Sequence, residues 1–326
     1  MALALAAMAT ACGGGTGGGG AVDELHLAVI PKGTTHEFWK SIHAGAIKAQ
    51  REYESQGVRV RLTWKGPIRE DDREQQIQVV EGFLSQGVNG IVLAPLDASA
   101  LVRPVQEAAR AGIPTVVIDS GLASDDAVSF VATDNEKGGA LAADRLGALL
   151  EGKGRVLLLR YQEGSASTEG REKGFLERMA AQYPGIEIVS SDQYAGPTRD
   201  TAKRASENLL NRFANEVQGV FTPNESSTAG MLLALQDVGK AGQVKFVGFD
   251  SSESFVTAMR NGQLDGVVLQ NPFEMGYQGV KTMVAHLRGE TVQPRVDTGV
   301  TIVTPENLDD ESSKALLNPP LTEYLP

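Results

Sequence analysis

The 326-residue sequence has one cysteine, four histidines, 6% aromatic residues and no run of lysine or arginine. A lone cysteine forms no disulfide within the chain, so the fold must rest on its apolar cores. His26, His36, His43 and His286 show no metal-ligand spacing, and no metal is expected. A formal net charge of −11 leaves no basic face for phosphates, so no nucleic-acid partner is expected. No GxGxxG lies between a strand and a helix, and no GxxxxGK[ST] or GxSxG occurs. Neither a cofactor nor an enzymatic activity is therefore expected, although Asp119, Glu169 and Asp250 are acids from which a glycosidase pair could be drawn. Long hydrophobic runs are missing too. The apolar stretch at residues 1–11 is far short of the roughly 20 residues that span a bilayer.

What is present is an ordinary globular composition, 41% apolar and 22% charged, in a chain long enough for two medium lobes. Short β-branched runs recur at 25–31, 58–64, 90–95, 114–119 and 129–133. A second set follows at 155–160, 186–191, 219–224, 244–250 and 264–270. Continuous Val/Ile/Leu runs suit parallel strands buried on both faces. Between them the spacing is helical: in Glu74–Gln86, Ile77, Val80, Phe83 and Leu84 share one face. The pattern predicts an α/β fold of right-handed βαβ units, ten strands in two groups of five. A late helix near Met275–Arg288 is expected to cross back to the first lobe, with Val296–Val303 as the returning connection.

In open α/β sheets ligands bind beyond the carboxyl ends of the strands. Those ends carry Lys32, Trp64-Lys65, Asp97 and Asp119-Ser120 in the first group. In the second they carry Tyr161 to Glu169, Tyr194, Asn224-Glu225, Asp250-Ser251 and Gln270-Asn271. Phe38 and Trp39 lie just after the first strand. Aromatic faces with convergent Asp, Asn and Gln suit a sugar or polyol, whose C–H faces stack while its hydroxyls donate to carboxylates and accept from amides. At any single position an Asp or Asn after a strand also suits a helix N-cap.

The segments FVATDNEKGGALAADRL (130–146), REKGF (171–175), VFTPNE (220–225), KFVGFDSS (245–252) and VVLQNPFEMG (267–276) carry a family pattern in their order and spacing. Over residues 23–304 the chain resembles type I periplasmic sugar-binding proteins of ABC transporters, the ribose-binding cluster. The resemblance implies two Rossmann-like, doubly wound parallel-sheet lobes joined by a multi-crossing hinge. The expected division is 21–133 plus 271–299 for the N-terminal lobe and 134–270 plus 300–326 for the C-terminal lobe. It also implies that Phe38 and Trp39 stack on a sugar, that His36 takes an asparagine's place, and that Asp119, Asn224, Asp250 and Gln270 contact ligand. Ala94 stands where an asparagine is usual, Ser120 replaces an arginine, and Glu169 sits about where a second arginine lies. These departures favour a donor-rich ligand such as a polyol, a deoxysugar or an aminated sugar. VIPKG (29–33) and TWKGP (63–67) resemble the autoinducer-2 and rhamnose-binding branch, which makes Lys32 and Glu169 candidates for selectivity.

Residues 1–11 end in small residues immediately before Cys12, and a glycine-rich stretch runs to Gly20. The arrangement resembles a bacterial lipobox, with Cys12 acylated and residues 13–20 as a flexible tether, although Ala9 stands where leucine is usual and no Lys or Arg precedes it. The alternative is an Ala/Gly-rich leader with an incidental thiol. The expected location is the periplasm or cell surface, held to the membrane by the lipid alone, with an ABC permease as partner and no heptad repeat to require an oligomer. A transcriptional regulator with this effector fold would need about fifty residues of helix-turn-helix before Leu25, and only 24 Ala/Gly-rich residues stand there. A sensory receptor for an autoinducer-2-like or deoxysugar ligand remains the other reading.

Overall fold

The computed structural model describes residues 24–213 and 215–325. Cys12 and the glycine tether lie outside the described residues. The chain begins β1 (Leu25–Ile30), α1 (Glu37–Ser55), β2 (Val60–Trp64), α2 (Arg73–Gln86), β3 (Gly90–Leu93), α3 (Val102–Arg110), β4 (Thr115–Ile118) and β5 (Ser129–Ala132). It continues through α4 (Asn135–Leu149), β6 (Gly154–Arg160), α5 (Ala166–Gln182), β7 (Ile186–Tyr194), α6 (Arg199–Phe213), β8 (Gly219–Phe221) and α7 (Glu225–Asp237). Then come β9 (Lys245–Phe249), α8 (Glu253–Arg260), β10 (Gly266–Gln270), α9 (Pro272–Leu287), β11 (Arg295–Asp297), β12 (Val300–Val303), α10 (Glu311–Leu317) and α11 (Leu321–Tyr324).

The strands form two six-stranded sheets of the same order, β2-β1-β3-β4-β5-β11 and β7-β6-β8-β9-β10-β12. All pairs are parallel except β10 with β12. The protein is thus α/β, with two parallel-sheet lobes. β3 and β4 are buried at every residue, as their unbroken apolar runs require when helices cover both faces. Alternation sorts each lobe's apolar residues into two layers. Leu27 and Val29 pack with α1 and α9, whereas Ala28 and Ile30 pack with α2 and α3.

The chain passes between the sheets after β5, after β10 and between β11 and β12. The segment expected as one returning connection is two short strands parted at Gly299, whose φ of 83° makes the turn. β11 covers the edge of β5 in one sheet and β12 that of β10 in the other, so both edges are paired. One expected boundary needs correction. Residues 300–326 do not all belong with the second lobe: Leu316 and Leu317 of α10 pack on its core, but α11 lies against α1. Tyr324 tilts against Phe273 with ring centroids 5.6 Å apart, and Arg51 Nη1 donates to the Glu323 carbonyl at 2.8 Å. The tail crosses both lobes because its apolar residues are split between their surfaces.

Candidate functional site

The C-terminal ends of both sheets face one another across a cleft, and the chain there is held by geometry that the strands impose. Asp119 follows β4 and Asp250 follows β9, each with a left-handed backbone, φ 61° and 66°. Aspartate tolerates this conformation better than most residues. Each turn aims a carboxylate from the end of its lobe's fourth strand into the cleft, and both residues are buried.

From the first lobe, Lys32 reaches across. Its Nζ lies 3.0 Å from Asp119 Oδ2 and donates to Ser167 Oγ at 3.0 Å and Ser165 Oγ at 3.4 Å, both in the second lobe. At 3% exposed it is no solvated loop lysine. Asp250 Oδ1 accepts from Gln270 Nε2 at 2.7 Å and Oδ2 from the Glu225 N–H at 3.0 Å. Burial raises the Asp250 carboxyl to about 6; the Arg171 guanidinium and the Gln270 hydrogen bond oppose this, and the charges of Asp119 and Glu225 add to it. Asn224 is both cap and wall. Its Oδ1 accepts from the Ser227 N–H in a capping box at the start of α7, and the side chain also lines the cleft.

Glu70, in the loop before α2, was not legible as a site residue. It is buried, and its Oε1 accepts from Trp39 Nε1 at 2.7 Å and pairs with His36 Nδ1 at 2.9 Å. Its Oε2 accepts from Tyr161 Oη of the other lobe at 2.7 Å. Burial alone would raise its pKa, but His36, the indole N–H and Lys32 outweigh that and hold it at about 2. Burial likewise lowers His36, yet the hydrogen bond and charge of Glu70 carry it above its ordinary value.

Lys32, His36, Phe38, Trp39, Asp119, Asn224, Asp250 and Gln270 are all brought to this cleft. Two expected residues are not. Glu169 is exposed, and its Oε1 accepts from the Gly164 N–H, so it turns toward its own loop. Ser120 is buried beside the cleft but does not line it; its Oγ accepts from the Ser167 N–H at 3.1 Å. Nor does the cleft lack an arginine. Arg171, two residues and about half a helical turn from Glu169, is buried with Nε on Asn135 Oδ1 at 2.8 Å and Nη1 on the Pro223 carbonyl at 2.9 Å. Its guanidinium lies 4.0 Å from the Phe249 ring centroid. The signal was available: one end of the REKGF segment is the buried face of α5. Tyr161, Ser165, Ser167 and Glu225 also line the cleft.

The lobes meet closely. Ala98 N–H donates to the Gly164 carbonyl at 2.9 Å and Arg73 Nη2 to the Glu163 carbonyl at 2.9 Å. Between them the cleft encloses about 30 Å³, walled largely by groups that already pair with one another. Two buried acceptors there have no hydrogen-bond partner, Glu225 Oε2 and Gln270 Oε1. Carboxylates outnumber cations, so the arrangement suits a ligand that brings donors. No group of three or more His, Cys, Asp or Glu among the described residues is arranged to hold a metal, and no helix among them is long and apolar enough to cross a membrane.

Two hinged lobes with polar residues converging from both define a cleft-binding protein. The chain belongs to the periplasmic binding protein family, whose domain model matches residues 27–291. It is 32% identical to the D-allose-binding periplasmic protein of Escherichia coli over 79% of this chain and 83% of that one. It is 30% identical to the xylitol-binding protein of Mycolicibacterium smegmatis, over 77% of this chain and 70% of the relative. A carbohydrate transporter solute-binding protein of Agrobacterium radiobacter, solved in complex with D-arabinose, superposes with a TM-score of 0.85 at 34% identity, covering 91% of this chain and all of that one.

Proposed function

We propose that this protein is an extracytoplasmic solute-binding protein that closes on a small sugar or polyol, delivers it to an ABC transporter permease, and catalyses nothing. One observation carries the reading. Lys32 and Asp119 of one lobe and Arg171, Asn224, Asp250 and Gln270 of the other line a single cleft in which two acceptors await donors. Relatives named for D-allose and xylitol binding, and a structural neighbour solved in complex with D-arabinose, support the polyhydroxylated class. A ligand shifts the open–closed balance only through contacts made in the closed state, and residues drawn from both lobes supply them. The moving units are 21–133 with 271–299 and 134–270 with 300–317, and the tail beyond reaches back to the first lobe. Anchoring through an acylated Cys12 on the glycine tether, and a monomeric state, complete the proposal.

Calorimetric titration of residues 21–326 with D-ribose, D-allose, D-arabinose, D-fucose and xylitol tests it. At a hundred times Kd a true ligand stabilises the fold by roughly 2.7 kcal/mol. One or more is expected to bind and to come off unchanged. Silence across the panel from a ligand-stripped, folded sample would refute the sugar reading, and recovery of a product would refute the non-catalytic one. Mass spectrometry of the membrane fraction checks Cys12.

A further inference from the structure

Beside the cleft, toward the hinge, lies a second and larger recess of about 270 Å³. It shares Phe38, Asp250 and Gln270 with the cleft, so the two are continuous along one wall. Its outer wall is the C-terminal tail, including Asn318 and Thr322. The recess is therefore complete only where the tail spans both lobes, with α10 on the second and α11 on the first. Alone, the cleft holds about 30 Å³; with the recess it reaches the roughly 300 Å³ at which small-molecule sites begin.

We propose that this recess is a second subsite, which takes a neutral hydroxylated unit joined to the ligand held in the cleft, so that a glycoside or disaccharide is preferred to a single sugar. The inference rests on the sugar-binding reading and specifies its ligand. No Lys, Arg or His lines the recess, whereas Glu37, Asp250 and Glu253 do, which disfavours a phosphate or carboxylate. Leu269, Leu317 and Leu321 supply an apolar side for C–H faces, and serine, threonine and asparagine side chains supply hydroxyl partners. The shared wall holds the independent observation: Gln270 is 96% buried by its 4% exposure, and its Oε1 lacks a partner. Its Nε2 is already committed to Asp250 and its side chain lines both spaces, so the oxygen is the acceptor left for a hydroxyl once the side chain turns toward their junction.

The experiment titrates D-ribose, D-allose and D-glucose against their methyl glycosides, maltose, cellobiose and melibiose, on the wild type, Thr322→Trp and Glu253→Trp. Thr322 and Glu253 are exposed, stand on opposite walls of the recess and lie outside the cleft, so two bulky variants approach it independently. At least one extended sugar is expected to bind about tenfold or more tightly than its parent. Each Trp variant should erase that gain and leave the parent's affinity within about twofold. Compact sugars that bind with no gain for any extended form would overturn the second subsite while leaving the sugar reading intact. Equal weakening of both classes by both variants would overturn it as well. No binding by any sugar would overturn both readings together.

Discussion

Replacing Lys32 by methionine keeps the length of the side chain and removes its charge. In the closed protein that ammonium touches Asp119 Oδ2 and two serine hydroxyls of the opposite lobe, at 3.0 to 3.4 Å. Asp119 is only 2% exposed, so solvent cannot stand in for the lost cation. Breaking a buried pair from one side costs about 3–5 kcal/mol, because a buried charge is left behind. For folding units of 150–250 residues, 1 kcal/mol shifts Tm by roughly 2–4 °C, so Lys32→Met should melt roughly 6–20 °C lower by differential scanning calorimetry. The double variant Lys32→Met with Asp119→Asn removes both charges. Asparagine also tolerates the φ of 61° at this position, so most of the loss should return. Sugar binding should not return, because the ammonium that faces both lobes is still missing. A single variant within about 1 kcal/mol of wild type, or a double variant as unstable as the single, would refute the claim that Lys32 compensates the buried carboxylate.

Asp250→Asn should be at least as stable as wild type at pH 7 while binding sugar roughly ten- to a hundredfold more weakly by calorimetry. The folded carboxyl at about 6 lies above its ordinary 3.8, so the native state loses stability as pH rises between those values, and the amide escapes that loss. Gln270 can turn its unpartnered oxygen toward the new amide, which keeps the pair hydrogen-bonded. Glu70 works in the opposite sense. Its pKa is depressed from 4.5 to about 2, so its stabilisation is complete above 4.5 and fades as pH falls toward 2, by roughly 3 kcal/mol. Urea melts across this range should show a steeper acid loss for wild type than for Glu70→Gln, and parallel curves would count against the latch between His36, Trp39 and Tyr161. Gly139→Ala should destabilise by about 1–3 kcal/mol or more, since its Cβ would sit 1.9 Å from the Arg171 carbonyl oxygen. Gly82→Ala, mid-helix with nothing within 4 Å, should instead stabilise by about 0.5–1 kcal/mol in the same melts.

Strands and helices were legible because burial on both sheet faces writes itself as continuous apolar runs, and β3 and β4 are the clearest cases. Asp119, Asp250 and Gln270 were legible because strand ends in this topology face the cleft. Glu70 was not, since it lies in the loop between β2 and α2, where neither a strand end nor a helical spacing marks it, and its partners His36, Trp39 and Tyr161 are all distant in sequence. That the sequence points to Glu169 as a site residue and passes over Arg171 has a different reason. Both lie on the first turns of α5, and only the helix's rotation, about 100° per residue, decides which faces inward. The last residues misled for want of pattern: four residues of α11 carry no periodicity that says which lobe receives them.

Three of the recognisable segments turn out to mark places where backbones touch, which explains why they can be read at all. Gly45 and Gly276 face each other's helices where α1 crosses α9: a Cβ on either would lie 1.9 Å from a carbonyl oxygen, of Phe273 and Ile42 respectively. Gly139 and Gly174 repeat this at the α4–α5 crossing, at 1.9 and 2.0 Å from the carbonyls of Arg171 and Glu136. The positions correspond one to one. Gly45 and Gly174 are each the ninth residue of their helices, and Gly276 and Gly139 each the fifth. Each lobe thus carries the same close helix pair, built from one helix that enters through the hinge and one that follows the lobe's first strand. Such contact admits no side chain, so the four glycines hold the hinge-crossing helices rigidly to their lobes. Closure must then occur in the connections between lobes and not within them. That rigidity also fixes Arg171, whose carbonyl touches Gly139 while its guanidinium lines the cleft. A side chain at Gly139 would therefore disturb the binding site as well as the fold, and Gly139→Ala should weaken sugar binding even at temperatures where the protein stays folded.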